Sequence, residues 1–168
     1  MISSALILAP FVILLLLAAG WDLASYTIPN FIPVALLLGF VLYAMSAGYG
    51  VAAYENHALA ALIALAAGFL LFALGYIGGG DAKLFAAAGA WFGMHDLLPY
   101  VVIASLFGGG LTLALLAARR WPLPQVLASH AWINRLHEPR GGIPYGVALA
   151  AGAIAILPQT ELLRAIAA

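Results

Sequence analysis

An all-α polytopic bundle of about six transmembrane helices, with its N-terminus outside, is the fold class this sequence predicts, and three observations predict it. The 168 residues are 66% hydrophobic and only 7% charged, whereas soluble domains are roughly half apolar and about a quarter charged. Uncharged runs recur along the chain at close to the roughly 20 residues needed to cross about 30 Å of hydrocarbon. Four of the six basic residues, Arg119, Arg120, Arg135 and Arg140, fall in one polar segment, which gives the bundle an orientation.

The first run, Ile2 to Gly20, carries no charge. It has no basic n-region and is longer than the apolar core of a signal peptide, so it reads as a retained first span. Phe31 to Gly48 and Ala58 to Ile77 supply the second and third. Ala82 to Met94 is a short, Ala-rich helical pattern broken only by Lys83, and reads as a further short span or as a re-entrant segment. Leu97 to Ala118 and the shorter Ile143 to Leu157 complete the set. The arginine-rich segment from Arg119 to Gly142 is expected in the cytoplasm. Counting back over six spans leaves the loops Asp22 to Asn30 and Gly78 to Asp81, with Lys83, on that same face. A re-entrant fourth segment puts Lys83 on the opposite face, so six spans is the better reading. Within the polar segment, Pro124 to Leu136 reads either as an interfacial helix, with Val126, Leu127, Ile133 and Leu136 on one side and Trp121 and Trp132 as anchors, or as an irregular loop. No internal repeat or linker divides the chain, so residues 1–168 form a single domain.

Composition also narrows the function. There are no cysteines, which removes disulfides and thiolate metal sites. The net charge is zero and the basic residues form no nucleic-acid surface, so the expected partners are the lipid bilayer and proteins in or beside it. His57, His95, His130 and His137 lack metal-ligand spacing and read as loop-surface residues, so neither a metal nor a cofactor is expected. Among the acids, Glu55, Asp96, Glu138 and Glu161 read as solvated residues of short loops or termini.

Asp22 and Asp81 differ, because each abuts an apolar run, where an ionisable group is costly unless hydrated, paired or used. Asp81 follows Gly78, Gly79 and Gly80 and precedes a helical run, so it also reads as a simple N-cap. Three glycines exceed what a turn needs, and they strip side chains from the backbone beside the carboxylate. No phosphate loop is formed, since no Gly-Lys-Ser/Thr follows. Asp22, beside Trp21 and Tyr26, taken alone reads as an interfacial carboxylate. Together the two acids sit at one end of a bundle, where two carboxylates can share a proton: one activates a water and the other donates to a carbonyl oxygen. Lys83 does not face Asp81 on a helix, and reads as a snorkelling lysine or as a group that binds a substrate carbonyl.

Three stretches carry a family resemblance. "GGGDAKL", Gly78 to Leu84, resembles the Gly-x-Gly-Asp signature of intramembrane aspartyl proteases in the Gly-Asp-x-Lys form of the type IV prepilin peptidase family. "DLASYTIPN", Asp22 to Asn30, resembles the family's first-aspartate motif, with Ile28, Pro29 and Asn30 in place. "GGIPYGVALAAG", Gly141 to Gly152, resembles its last-helix entry through Pro144, Tyr145 and Gly146. The resemblance implies an aspartic endopeptidase of the bacterial inner membrane. It would cleave the leader of type IV prepilins or prepilin-like proteins at the cytoplasmic face, with Asp22 and Asp81 as the catalytic pair. Larger relatives carry a cysteine-bearing insertion linked to N-methylation. This chain has none, and resembles the short, peptidase-only form of Flp/Tad-type pilus systems. The loop after Asp22 is uncharged where relatives often carry basic residues. Other readings of the same acids are an archaeal preflagellin-type or presenilin-like protease, a small proton-coupled transporter, or a silent scaffold.

Overall fold

Helices follow the apolar runs and overshoot most of them. The computed structural model describes residues 4–139 and 141–167, so the first residues of the expected first span and Arg140 lie outside the described part. Among the described residues every regular element is helical: α1 Ser4–Ser25, α2 Phe31–Ser46, α3 Val51–Ala73, α4 Gly79–Ala118, α5 Gln125–Ala128, α6 Ala131–His137, α7 Tyr145–Ile156, a single 3₁₀ turn at Leu157–Gln159, and α8 Glu161–Ala167. Of these, α1, α3 and α4 are each long and apolar enough to cross a membrane.

The 40 residues of α4 are not one rod. Gly93 has φ 66° and ψ −179°, a conformation open essentially to glycine alone, and there the chain doubles back. Phe85 and Tyr100 would stand about 22 Å apart on a straight helix, yet their ring centroids are 5.7 Å apart, and those of Phe92 and Tyr100 are 4.9 Å apart. The broken helix leaves backbone groups without partners, and α3 supplies them. Asn56 Oδ1 accepts the Met94 N–H at 3.0 Å, and His57 Nδ1 donates to the Ala90 carbonyl at 2.7 Å. His57 is therefore a half-buried part of the hairpin, packed on Phe40 and Tyr49, and not a loop-surface residue. Glu55 likewise sits in α3 and not in a loop.

The first limb of α4, residues 79–92, is the axis of the bundle. From Asp81 to Gly93 only Lys83 is exposed. Its alanines and glycines let α3 come close: a Cβ on Gly68 would stand 3.0 Å from Ala82 Cα, and one on Gly89 would stand 3.1 Å from the Ala64 Cβ. On the other side Trp91 donates from Nε1 to the Leu36 carbonyl of α2 at 2.8 Å, and its ring lies among Phe11, Phe40 and Tyr43. The second limb, residues 94–118, packs on α7 so tightly that a Cβ on Gly152 would fall 2.6 Å from Ala104 Cα.

The two ends of the bundle differ. At one end Asp96 is buried, bonded to His95 Nδ1 at 2.9 Å and accepting the Glu161 N–H at 2.8 Å. It is thus a structural tie to α8 and not a solvated loop acid. At the other end lies the arginine-rich segment, which folds as the two short helices α5 and α6 broken at Ser129 and His130, with Trp121, Val126 and Trp132 exposed. A continuous helix does not form there.

Gly93→Ala forces a side chain into φ 66° and places its Cβ 2.8 Å from Asn56 Oδ1. A loss of about 1–3 kcal/mol is expected, read as a lower thermal midpoint in detergent. An unchanged midpoint would contradict the hairpin.

Candidate functional site

Three separate stretches of chain meet at the arginine-rich end. Asp22 lies in the last turn of α1, which runs past the expected end of the first span to Ser25. Asp81 lies in the first turn of α4. Gly146 lies in the first turn of α7. Asp22 and Asp81 are both buried, 3% and 5% exposed.

Each carboxylate caps a helix. Asp22 Oδ2 accepts the Gly146 N–H at 2.7 Å across 124 residues of sequence. The N-terminal end of a helix favours an anion there. Asp81 Oδ2 accepts the N–H of Gly78 at 2.8 Å: Gly78, and not Asp81 as the simple reading has it, is the N-cap of α4, and Asp81 reaches back to it from the third helical position. Capping uses only one of its oxygens. Oδ1 is buried and has no protein partner, an arrangement that a cap alone does not require and that is costly for a structural carboxylate. The two acids are near enough for their charges to act on each other.

Ile28 is the wedge that sets this convergence. It is buried, and the glycines on both sides leave room for it. A Cβ on Gly80 would stand 3.0 Å from the Ile28 Cβ, and one on Gly146 would stand 2.7 Å from the Ile28 Cδ1 and 2.9 Å from the Asp22 Oδ2. Pro29 and Asn30 then turn the chain into α2, with the Pro29 carbonyl accepting the Ile32 N–H at 3.1 Å. Lys83 Nζ donates to Asn30 Oδ1 at 2.8 Å, so it ties α4 to this turn. Pro144 is fully buried at the start of α7, and Tyr145 packs near Gly108. The glycines after Ile77 have different duties: Gly78 carries the N–H that Asp81 binds, Gly80 admits Ile28, and Gly79 would meet only the Phe72 ring at 3.5 Å.

Sequence reasoning missed two contributors. Among the described residues Arg119 pairs with no acid but grips three carbonyls: Leu136 at 2.8 Å, Gly141 at 3.0 Å and Gly142 at 2.8 Å. It thereby fixes the approach to α7. Arg135 Nη1 donates to the Ala24 carbonyl at 2.9 Å, at the end of α1. Tyr26 has φ 55°, uncommon for a bulky residue, and its buried hydroxyl lies beside Arg119 without a well-formed bond. These arginines look like surface charge in the sequence, and only the fold shows them holding carbonyls. Of the histidines, His137 donates to the Trp121 carbonyl at 2.8 Å, while His130 and His95 are exposed. None of the four lies among the contacts of the two carboxylates.

An all-helical, membrane-type bundle with two buried carboxylates converging on one helix start is the class of protein that fold and site define. The family model of the type IV leader peptidase family matches residues 9–113, and the chain belongs to that family. It is accordingly a membrane protein and a leader-peptidase-like protease. No curated protein and no solved structure matches the chain. The matched region contains Asp22 and Asp81, while Gly146 lies beyond it.

The glycine geometry yields a paired expectation. Gly80→Ala drives a methyl into Ile28 and is expected to cost about 1–3 kcal/mol. Gly79→Ala is expected to be neutral or stabilising by about 0.5 kcal/mol. Thermal unfolding of both variants in one detergent checks the contrast.

Proposed function

We propose that this chain is an aspartic endopeptidase of the bacterial inner membrane. It removes the leader peptide of type IV prepilins or prepilin-like proteins at the cytoplasmic face, with Asp22 and Asp81 as the catalytic pair. The observation that carries the reading is the buried Asp81 oxygen left without a protein partner beside a second buried carboxylate. The proposal takes residues 1–168 as one domain of six spans with the N-terminus outside, and as the short form that resembles Flp/Tad-type pilus peptidases. The two limbs of α4 supply the fourth and fifth spans. The arginine-rich segment supports the cytoplasmic assignment, because Arg119 and Arg135 contact the same end of the bundle as the two acids.

In this mechanism the ionised carboxylate takes a proton from a water as its oxygen attacks the scissile carbonyl carbon. The protonated carboxylate gives its proton to the carbonyl oxygen, and a tetrahedral diol results. Collapse of the diol breaks the C–N bond. The amine leaves with a proton from the carboxyl group that had accepted one from water, one diol hydroxyl returns its proton to the other carboxylate, and the carbonyl re-forms as a carboxylic acid. The Gly146 N–H holds the Asp22 carboxylate in place. Gly78, Gly79, Gly80, Lys83, Ile28, Pro29, Asn30, Pro144 and Tyr145 frame the pair without taking part in bond making.

The test is cleavage of a prepilin from the same genome in liposomes. Asp22→Asn and Asp81→Asn, both still folded, are each expected to lose about a thousandfold or more in kcat/KM. Cleavage by either variant at a rate near that of the unaltered chain rules out the shared site.

A further inference from the structure

An apolar groove of about 560 Å³ opens beside the candidate site. Its walls come from the end of α3, both limbs of α4, and α7, through Ile77, Phe85, Ala104, Gly109, Tyr145 and Leu149. Those walls adjoin the site. Ile77 directly precedes Gly78, Phe85 is one helical turn beyond Asp81, and Tyr145 directly precedes Gly146. From Thr112 to Val101 the groove follows the second limb of α4 for about 16 Å, roughly half the thickness of a hydrocarbon core.

The lining says what kind of occupant fits. The hydroxyl of Thr112 is used within the wall, donating to the Gly108 carbonyl at 2.7 Å. A Cβ on Gly109 would meet nothing within 4 Å. The fold therefore has no packing need for glycine at that position, and glycine weakens a helix interior relative to alanine. With Ser105 one turn away, Gly109 leaves a shallow strip on which the backbone of another helix can lie closely. A lipid acyl chain needs no such strip.

A second groove, of about 540 Å³, includes Gly110, Phe107 and Ala151. Through Val147 it borders Gly146, but it draws no residue from α3 or from the first limb of α4, which carries Asp81. Gly110 also has open space before it.

We propose that the groove along Gly109 seats the membrane-inserted apolar helix of the substrate, on the side of the scissile bond that stays in the bilayer. It thereby delivers that bond to Asp22 and Asp81. This rests on the peptidase reading above. The helix end at the mouth of the groove must unwind to present an extended peptide, and the chain that continues from the lining residue Ile77 through Gly78 to Gly80 carries no side chains to obstruct it.

The chain has no cysteine, so each introduced thiol is unique. In an Asp81→Asn background in liposomes, Gly109→Cys and Gly110→Cys are compared for disulfide formation with a prepilin fusion carrying single cysteines along the apolar helix that follows its leader. At least a tenfold preference for position 109 is expected. In the otherwise unaltered chain, Gly109→Leu should raise KM for that fusion at least tenfold with kcat little changed, while Gly110→Leu stays within twofold. Equal cross-linking at both positions, no cross-linking, or no effect of Gly109→Leu overturns the proposal. Cleavage by the unaltered chain with no preference for position 109 removes the groove alone. A preference for position 109 without any cleavage by the unaltered chain supports the groove and removes the peptidase reading.

Discussion

A helix that starts inside a bundle brings unpaired N–H groups with it, and they must be met from somewhere. For α7 the partner of Gly146 is a carboxylate from the last turn of α1. That one bond ties the ends of the chain together, and it holds only because Ile28 can fit between Gly80 and Gly146. The loop after Asp22, the start of α4 and the start of α7 are consequently one unit. Displacing any of them misplaces a buried charge, which is among the costlier faults a membrane interior can hold. The same bond accounts for a carboxylate at a helix terminus being compatible with catalysis. Capping orients the group and leaves its remaining lone pairs for chemistry.

Much of this was legible in the sequence. The apolar runs predict helices because, in lipid, helices satisfy their own backbone groups, and each run does contain one. Asp22 and Asp81 stand out because they abut such runs. Their placement at one end, with the arginine-rich segment, follows from counting segments and is matched by the contacts of Arg119 and Arg135. The kink was visible only as a short Ala-rich stretch near Met94. Its cause, Gly93 stitched by Asn56 and His57, depends on a tertiary contact that local pattern does not report.

The misreadings share a physical origin. Asp96 and His57 lie close to the ends of apolar runs, but burial at the end of a bundle is decided by which neighbours fold over the residue. Asp96 is covered by the start of α8, and His57 is drawn in by a carbonyl freed at the hairpin. Arg119 belongs to the same category. Its charge suggests solvent or an anion, while its planar fork of donors suits a cluster of loop carbonyls. The break between α5 and α6 falls at Ser129 and His130, where the apolar spacing that suggests one continuous helix gives no warning.

Apart from α1, which carries Asp22, the helices around the site are short. By rise per residue, α2 is about 24 Å long, the first limb of α4 about 21 Å and α7 about 18 Å, while α1 and α3 each exceed about 30 Å. Elements this short leave a deficit against an ordinary hydrocarbon layer, and a bilayer meets such a deficit by becoming locally thinner. Where α2 and α7 face lipid, such thinning would draw the water–lipid boundary towards the end of the bundle that holds Asp22 and Asp81, and shorten the path from bulk solvent to two acids that the protein itself buries.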